Sequence, residues 1–457
     1  MDERKTTPEE AKFWRDKHVL EYGGKDPLLG QPGDRKDSAV RFLDVDPENY
    51  DKIKNNYSLE VFKEVVKDWL YIEDTEVLDI VVATIMGEKI GGDPLWLFLI
   101  APPGGSKTEL LRSFTGNYAH HLSDMTSKTF ISGLMINDEK DAKKRRKVHD
   151  LLPQLNGKIL IFKDFTTILE KGRDEKKEII AQFREAYDGS FAKKVGTVDE
   201  TIRYDSRFGI IAGVTPVIDD HWKVMQQLGE RFLKVRWKED TDKVTKRARE
   251  NEGEEVIMRE ELCRNSDKFI SNLNFDKIPE FDDERFGEII SKVAKFIAFA
   301  RTPIKISNNP DEFYFERIPS PEMPTRLVKQ LKKLSKCLAL VRGKSSVTET
   351  EIKIIIRVAK DTVPPDRMAV LTVIAAFEKI ILNGCPKGTI CKELKIAETS
   401  VRRILEQLKR LDLIVEHKIR SNSFDEFTYH YTLGNISTNI FGTLPEKSEE
   451  TKSNEKR

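Results

Sequence analysis

The chain has 457 residues, enough for two to four domains that each bury a core. Its 78 lysines and arginines nearly balance 77 aspartates and glutamates, which excludes a uniformly basic protein and leaves only local patches for nucleic acid. Its four cysteines have no second Cys/His pair at metal-ligand spacing, so neither a disulfide framework nor a zinc site is expected. No apolar run approaches about 18 residues and no apolar leader is present, which predicts a cytoplasmic protein without a membrane anchor.

The first 57 residues are charged and weakly periodic, which predicts a partly disordered segment. Two helical patterns follow this segment. Apolar residues recur at helical spacing over 61–69, and Asp74 or Thr75 can cap a second helix that runs to Glu88.

A stretch over residues 101–111, APPGGSKTELL, resembles the phosphate-binding pattern G-x-x-x-x-G-K-S/T. Ala101 and Ser106 stand at the two glycine positions, while Lys107 and Thr108 match the pattern. An apolar run directly before the stretch predicts a buried strand, and the residues after it predict a helix. This context favours a nucleotide site over an unrelated loop with a solvated lysine.

The chemistry of such a loop assigns a role to each of its parts. Backbone N–H groups and the helix N-terminus surround the phosphates of the nucleotide. Lys107 meets the β- and γ-phosphate oxygens, and the Thr108 hydroxyl reaches Mg²⁺. The residues predicted to bind the cofactor are Pro103, Gly104, Gly105, Ser106, Lys107 and Thr108.

Three buried strands are predicted between residues 58 and 240. They lie over 95–100, 159–162 and 208–214, and helical patterns separate them. Strands that alternate with helices indicate a parallel α/β sheet. The fold class expected for this part of the chain is therefore α/β.

The rest of the chain divides into three segments. Residues 241–363 are wholly helical in pattern, with a capping box at 348–351. Residues 364–434 begin at two prolines and predict three helices and a hairpin, the pattern of a winged helix-turn-helix domain. Residues 435–457 are expected to be a disordered tail.

The third helix of the winged pattern has one apolar face. Thr399, Arg402 and Arg403 lie opposite that face, where they can contact a phosphate or a base edge. Residues 387–420 carry nine lysines and arginines against five aspartates and glutamates, a local net charge of +4. DNA binding is therefore favoured, although winged helices also serve as protein–protein modules.

Phosphoryl transfer also needs charge neutralisation and a positioned water. Asp164 ends the second predicted strand and can hold Mg²⁺ or orient the water, and Thr215 ends the third strand and can contact the γ-phosphate. Arg231 and Arg326 are candidates for binding transition-state charge. Each residue has a structural alternative, because Asp164 can cap a turn, Thr215 can fill a strand end and the arginines can form surface ion pairs.

The order of these features over residues 60–362 resembles that of the AAA+ ATPases, and most of all their minichromosome-maintenance (MCM-like) helicase branch. That branch also replaces the glycine before the lysine by a small residue. The stretch PTRLVKQLKKLSKCLALVRGKSSVTETEI resembles the family's helical lid. The resemblance implies an AAA+ core over 58–240, a lid over 241–363, and ATP and Mg²⁺ as cofactors.

The resemblance also assigns individual roles. It implies the Walker B position for Asp164, sensor 1 for Thr215, the arginine finger for Arg231 and sensor 2 for Arg326. The stretch FREAYDGSFAKKVGTVDETIRYDSRFGIIAG resembles a helix and β-hairpin that present a lysine to DNA, which implies DNA contact for the two adjacent lysines of that stretch. These are Lys193 and Lys194.

Two positions depart from the family pattern. Lys163 and Asp164 stand where the family has an Asp-Glu pair, so either Asp164 does both jobs or hydrolysis is slow. Thr215 stands where asparagine is common. The stretch GKILIFKDFTTIL is most similar to ATPases of phages, plasmids and other mobile elements.

We therefore expect an ATP-hydrolysing AAA+ motor that acts on single- or double-stranded DNA. A homo-hexamer is expected, because a finger arginine completes the site of the neighbouring subunit. The expected task is that of a helicase or origin-melting protein of a mobile element. The alternatives are an ATP-switched DNA-binding loader or regulator, and a non-hydrolysing ATP-binding DNA scaffold.

Overall fold

The structure is a computed structural model that describes residues 57–131, 150–194, 201–221, 228–273, 277–304, 318–380, 384–420 and 427–441. The predicted N-terminal segment lies outside the described residues except for Tyr57, and so does the predicted tail beyond Phe441.

The N-terminal half is built on a five-stranded parallel sheet. Its strands and those of a separate ribbon are, in chain order, β1 (Trp96–Ile100), β2 (Ala119–Leu122), β3 (Ile159–Phe162), β4 (Ser190–Lys194), β5 (Thr201–Asp205), β6 (Gly209–Val214) and β7 (Phe232–Arg236). The sheet has the order β2-β3-β6-β1-β7, and β4 pairs with β5 in a two-stranded ribbon. All five sheet strands are parallel, so their last residues share one edge, the carboxyl edge, and their first residues share the amino edge.

The middle strand β1 is buried on both faces, as its continuous apolar run predicts. Trp96, Phe98 and Ile100 point into one apolar cluster, and Leu97 and Leu99 point into the other. This alternation is the period of two that a strand imposes on its side chains. The prediction of a parallel α/β sheet is confirmed.

The two strands β2 and β7 lie outside the predicted strands. β2 contains two histidines and is only partly buried, so it has no apolar run. β7 alternates apolar residues with Lys234 and Arg236. The outward N–H groups of these two residues donate to the Thr362 hydroxyl at 3.0 Å and the Asp361 carboxylate at 3.1 Å, which protects this edge of the sheet.

Helices cover both faces of the sheet. In this half they are α1 (Leu59–Trp69), α2 (Glu76–Met86), α3 (Lys107–Arg112), α4 (Leu152–Leu155), α5 (Thr166–Glu170) and α6 (Arg173–Tyr187). α6 packs Ile179, Ile180 and Phe183 against the face that carries Trp96 and Phe98. α2 packs on the opposite face and is buried on all sides, because other helices cover it in turn.

The helical part follows β7, as predicted. Its helices are α7 (Thr241–Glu250), α8 (Glu255–Asn272), α9 (Asp283–Ala300), α10 (Thr325–Val341) and α11 (Glu349–Thr362). The predicted capping box is present at the start of α11, where Thr348 and Glu351 bond reciprocally. Glu351 also accepts a bond from Arg342 at 3.1 Å, and Arg342 bonds Asp79 of α2. These buried charges tie the helical part to the layer beneath it.

The C-terminal part contains α12 (Pro365–Glu378), β8 (Cys385–Pro386), α13 (Lys387–Leu394), α14 (Glu398–Arg410), β9 (Ile414–Arg420), β10 (Phe427–Leu433) and α15 (Asn435–Phe441). Its strands form an antiparallel sheet in the order β8-β10-β9. The predicted hairpin is β9 and β10, and β8 is an additional short strand. Arg367 joins this part to α9, donating to the carbonyls of Ala300 at 2.8 Å and Thr302 at 2.7 Å.

The prediction of a disordered tail from residue 435 is wrong for its first seven residues. Asn435–Phe441 form α15, which packs against α9. Ser437 and Ile440 are buried, and the Ser437 hydroxyl donates to the carbonyl of Leu413 at 2.7 Å. The segment is ordered because two of its side chains enter the core. None of the described helices is long and apolar enough to cross a membrane.

A buried carboxyl group lies at the amino edge of the sheet. Glu88 follows α2 and lies against Gly209, and its Oε1 is enclosed without a hydrogen-bond partner among the described residues. Burial raises the pKa of Glu88 to about 7, although Lys333 and Arg207 act to lower it. The carboxyl group therefore stays neutral up to a higher pH in the folded chain than in an unfolded one.

The pKa of Glu88 predicts a pH dependence of stability. The folded chain holds this proton more tightly than an unfolded glutamate of pKa 4.5, so the free energy of unfolding falls as pH rises from 4.5 to about 7. Over this range the free energy of unfolding decreases by about 3 kcal/mol at most. Glu88→Gln should remove this pH-dependent loss of stability, which urea unfolding at about pH 5 and about pH 8 would measure.

Glu185→Gln, at an exposed position, is the control. An equal pH dependence in wild type and Glu88→Gln would contradict the assignment.

Candidate functional site

Four strands deliver polar residues to the carboxyl edge of the sheet. The predicted phosphate loop, residues 101–108, follows β1, while Asp164 follows β3 and Thr215 follows β6. Glu239 follows β7, which pairs with β1 on its other side. Ligand sites in α/β sheets lie at this edge, so these residues form the candidate site.

The phosphate loop holds its lysine in a buried position. Gly104 has a φ of +79°, a left-handed conformation that glycine adopts without strain. Lys107 begins α3 with 5% of its surface exposed, and its Nζ donates to the carbonyls of Ala101 at 3.2 Å and Val214 at 2.9 Å. The strand–loop–helix arrangement predicted from the sequence is therefore present.

The stem of Lys107 passes close to the end of β6. A Cβ added at Gly213 would lie 2.7 Å from the Lys163 carbonyl oxygen and 3.4 Å from Cδ of Lys107. Glycine at this position leaves room for the lysine. Burial lowers the pKa of Lys107, while Asp164 and Glu239 act to raise it, so both carboxylates lie within electrostatic range of its ammonium group.

Sequence reasoning missed Glu239. Its Oε1 accepts a hydrogen bond of 3.0 Å from the backbone N–H of Ser106, and a Cβ added at Gly105 would lie 1.8 Å from its Oε2. A carboxylate thus lies against the loop at Gly105 and Ser106. The residue becomes visible as a candidate only when β7 is identified as the strand beside β1.

The hydrogen bond from Ser106 to Glu239 indicates whether the loop can bind a phosphate oxygen. An oxyanion accepts a bond from a loop N–H, directly before the N-terminus of α3 and within electrostatic range of Lys107. These are the donors that hold phosphate in such a loop. The residues present therefore fit a nucleotide phosphate.

Asp164 makes the turn contact that was its structural alternative, and it still lies at the carboxyl edge of the sheet. Its Oδ1 accepts a 2.9 Å bond from the N–H of Thr166 at the start of α5, while the side chain remains exposed. The other Asp164 oxygen and the hydroxyl of Thr108, a half-buried residue at the same edge, are the groups that could hold Mg²⁺. The described residues contain no group of three His, Cys, Asp or Glu side chains placed to hold a metal.

Thr215 lies at the junction of β6 and α5. Its Oγ1 is 3.5 Å from Oγ1 of Thr166, and its N–H is 3.5 Å from the same oxygen. The N–H of Phe165 donates to the Gly213 carbonyl at 2.7 Å, which fixes the two strand ends side by side. Thr215 therefore shares the carboxyl edge with Asp164.

The two candidate arginines lie at the opposite edge. Arg231 directly precedes β7, about 20 Å from the phosphate loop at the rise of a strand. Arg231 and Arg326 contact the Asp188 carboxylate at 3.4 Å and 3.5 Å, and both guanidinium groups lie over the Tyr187 ring. The structure brings the arginines together but does not bring either to Lys107 of the same chain.

Arg231 is the more enclosed of the two. It is 7% exposed and donates to the Leu228 carbonyl at 3.1 Å, and its Nε has no hydrogen-bond partner among the described residues. Burial lowers the pKa of Arg231, and the positive charge of Arg326 adds to that effect. Two adjacent cations share one exposed aspartate, so the cluster can accept further negative charge.

The predicted β-hairpin is the ribbon of β4 and β5. Lys193 pairs with Ile202 and Lys194 with Thr201, at the end of the ribbon away from the sheet. The ribbon begins at the amino edge, where the Ser206 N–H donates to the Gly189 carbonyl at 3.0 Å. The side chains of Lys193 and Lys194 lie outside the described part of the structure.

The third C-terminal helix has the predicted two faces. In α14, Val401, Ile404, Leu405 and Leu408 are buried, whereas Thr399, Arg402 and Arg403 are exposed. The hydrophobic face packs on α12 and α13 and leaves the polar face on the surface.

Comparisons with known proteins add no assignment. No protein-family model matches the sequence, and no curated protein matches it.

Proposed function

We propose that this chain is an ATP-hydrolysing AAA+ motor that acts on DNA as a ring-forming helicase or origin-melting protein of a mobile element. The observation that carries the proposal is the loop before α3. Its N–H at Ser106 binds an oxyanion, and its buried lysine lies at the end of a strand in a parallel sheet. Loop N–H groups beside a buried cation can neutralise phosphate charge, which supports a role in phosphoryl transfer.

The residues of the carboxyl edge have complementary tasks. The loop N–H groups and Lys107 bind the phosphates and neutralise their charge. Thr108 and Asp164 would hold Mg²⁺, which neutralises further phosphate charge when bound. Thr215 lies one strand away, where its hydroxyl can hydrogen-bond the γ-phosphate or the attacking water.

A ring explains the position of the arginines. Arg231 and Arg326 lie at the amino edge and cannot reach the phosphate loop of their own chain. In a homo-hexamer, the amino edge of one subunit would face the carboxyl edge of the next. A neighbouring γ-phosphate would then compete with Asp188 for both guanidinium groups.

Two surfaces support a role on DNA. In the proposed ring, the end of the β4–β5 ribbon that contains Lys193 and Lys194 would face the central channel. The C-terminal part combines helices with a three-stranded antiparallel sheet and exposes Arg402 and Arg403 on α14, which supports the proposal of a winged helix-turn-helix domain. The first surface would grip DNA during movement, and the second would bind duplex.

Arg402→Ala with Arg403→Ala should weaken duplex binding and lower its salt slope by up to about two, one for each lost phosphate contact. The ATPase rate without DNA should not change, because α14 lies outside the nucleotide site. Fluorescence anisotropy at several salt concentrations would measure this. An unchanged affinity and slope would instead favour a protein–protein role for the domain.

A second candidate is an ATP-switched DNA-binding protein that does not unwind DNA. Two features favour it: an Asp164 oxygen already accepts a hydrogen bond from the Thr166 N–H, and Lys163 stands where a second acidic residue is expected. Strand displacement on a forked duplex with MgATP separates the two candidates. Displacement that requires Lys107 supports the motor. ATP-dependent duplex binding without displacement supports the switch.

A further inference from the structure

We propose that Glu239 competes with the nucleotide for the phosphate loop, so that this chain regulates its own affinity for phosphate. The inference rests on the proposed function, because it concerns the same loop. Its basis is the position of the Glu239 carboxylate, with Oε1 3.0 Å from the Ser106 nitrogen and Oε2 against Gly105.

The carboxylate and a phosphate cannot occupy the loop together. The N–H of Ser106 points at one acceptor, and the Oε2 atom of Glu239 lies 1.8 Å from where a Cβ of residue 105 would be. A phosphate oxygen that accepts the Ser106 N–H must take the place of Glu239 Oε1, and it carries the same negative charge as that carboxylate. Binding therefore requires the Glu239 side chain to leave the loop.

The chain around Glu239 allows this exchange. Lys238 and Glu239 lie between the end of β7 and Asp240, whose carboxylate accepts bonds from the N–H groups of Asp242 at 3.1 Å and Lys243 at 3.2 Å. α7 is in turn fixed to α1, because Asn251 donates to the Trp69 carbonyl at 2.6 Å. Both flanking elements are anchored, so the side chain of Glu239 can swing out without moving the sheet.

Replacement of the Glu239 carboxylate by a phosphate should lower the affinity of the loop for nucleotide. Phosphate must break a charge-assisted hydrogen bond before forming its own, and bonds of this kind contribute more than neutral ones. Removing the negative charge of Glu239 while keeping its size should therefore tighten binding of any phosphate ligand. The effect should be seen with inorganic pyrophosphate as well as with ATP, because it depends on the loop alone.

Calorimetric titration of the full-length chain with MgATP and with pyrophosphate tests the proposal. Glu239→Gln should bind both ligands about tenfold more tightly than wild type, the scale of one hydrogen bond to a charged group. Glu252→Gln, an exposed glutamate beyond α7, removes the same charge and should bind as wild type does. Far-UV circular dichroism and melting temperature would establish that each variant is folded.

Each outcome separates this inference from the proposed function. If wild type and Glu239→Gln bind equally and Lys107→Ala binds neither ligand, the competition is refuted and the nucleotide site stands. Weaker binding by Glu239→Gln would make Glu239 a ligand-holding residue and would also refute the competition. If no folded variant binds MgATP or pyrophosphate, both proposals fail.

Discussion

Lys107→Ala is expected to lower the rate of ATP hydrolysis by at least about 10²-fold, the scale on which one preorganised donor contributes to a charged transition state. The ammonium group is the buried cation at the N-terminus of α3, where the β- and γ-phosphates would lie. Without it, the loop N–H groups alone would face the developing charge. Phosphate release under saturating MgATP would measure the loss.

Lys107→Met is the matched control for packing. Methionine keeps an unbranched stem beside Gly213 but carries no charge. Lys107→Met should melt near the wild-type temperature, because it keeps the buried stem and the Val214 carbonyl still accepts a bond from the Ala101 N–H at 3.2 Å. Far-UV circular dichroism would establish that Lys107→Ala is also folded. Turnover at the wild-type rate in either variant would contradict the assignment of the phosphate loop.

Arg231→Lys is expected to lower the rate constant of hydrolysis by about 10³-fold or more while sparing ATP affinity, as for an arginine finger. Lysine keeps the positive charge beside Asp188 but lacks the planar fork of the guanidinium group. It is preferred to alanine here because Arg231 is buried over Tyr187 and its loss would leave a gap. Single-turnover phosphate release and ATP titration would separate the two effects.

Mixing the two inactive variants tests whether the arginine acts between subunits. Lys107→Ala keeps an intact Arg231, and Arg231→Lys keeps an intact phosphate loop, so mixed rings contain complete sites at some interfaces. We expect part of the activity to return on mixing. Mixed rings without activity would argue that Arg231 does not complete a neighbouring site.

The sequence predicted those strands whose two faces are both buried. β1, β3 and β6 read as continuous apolar runs because helices cover each side of the sheet. β2 and β7 lie at the two edges and mix polar with apolar residues, so the same rule did not find them. Because β7 was not predicted, Glu239, which contacts the loop from beyond the end of that strand, was not identified as a site residue.

Side-chain roles were less predictable than strands. Lys107 follows from a local pattern, because loop and helix are contiguous in the chain. Asp164 could be placed at the correct edge, but its bond to the Thr166 N–H depends on how the chain turns into α5. The pairing of Arg231 and Arg326 at Asp188 joins three distant segments, which neither periodicity nor spacing reveals.

The most direct test of the central claim is the rate of phosphate release from MgATP by the wild-type chain without DNA, with single-stranded DNA and with duplex DNA. We predict measurable release without DNA and faster release with at least one form of DNA. Lys107→Ala, measured alongside, sets the background. Release no faster than that background under all three conditions would contradict an ATP-hydrolysing motor.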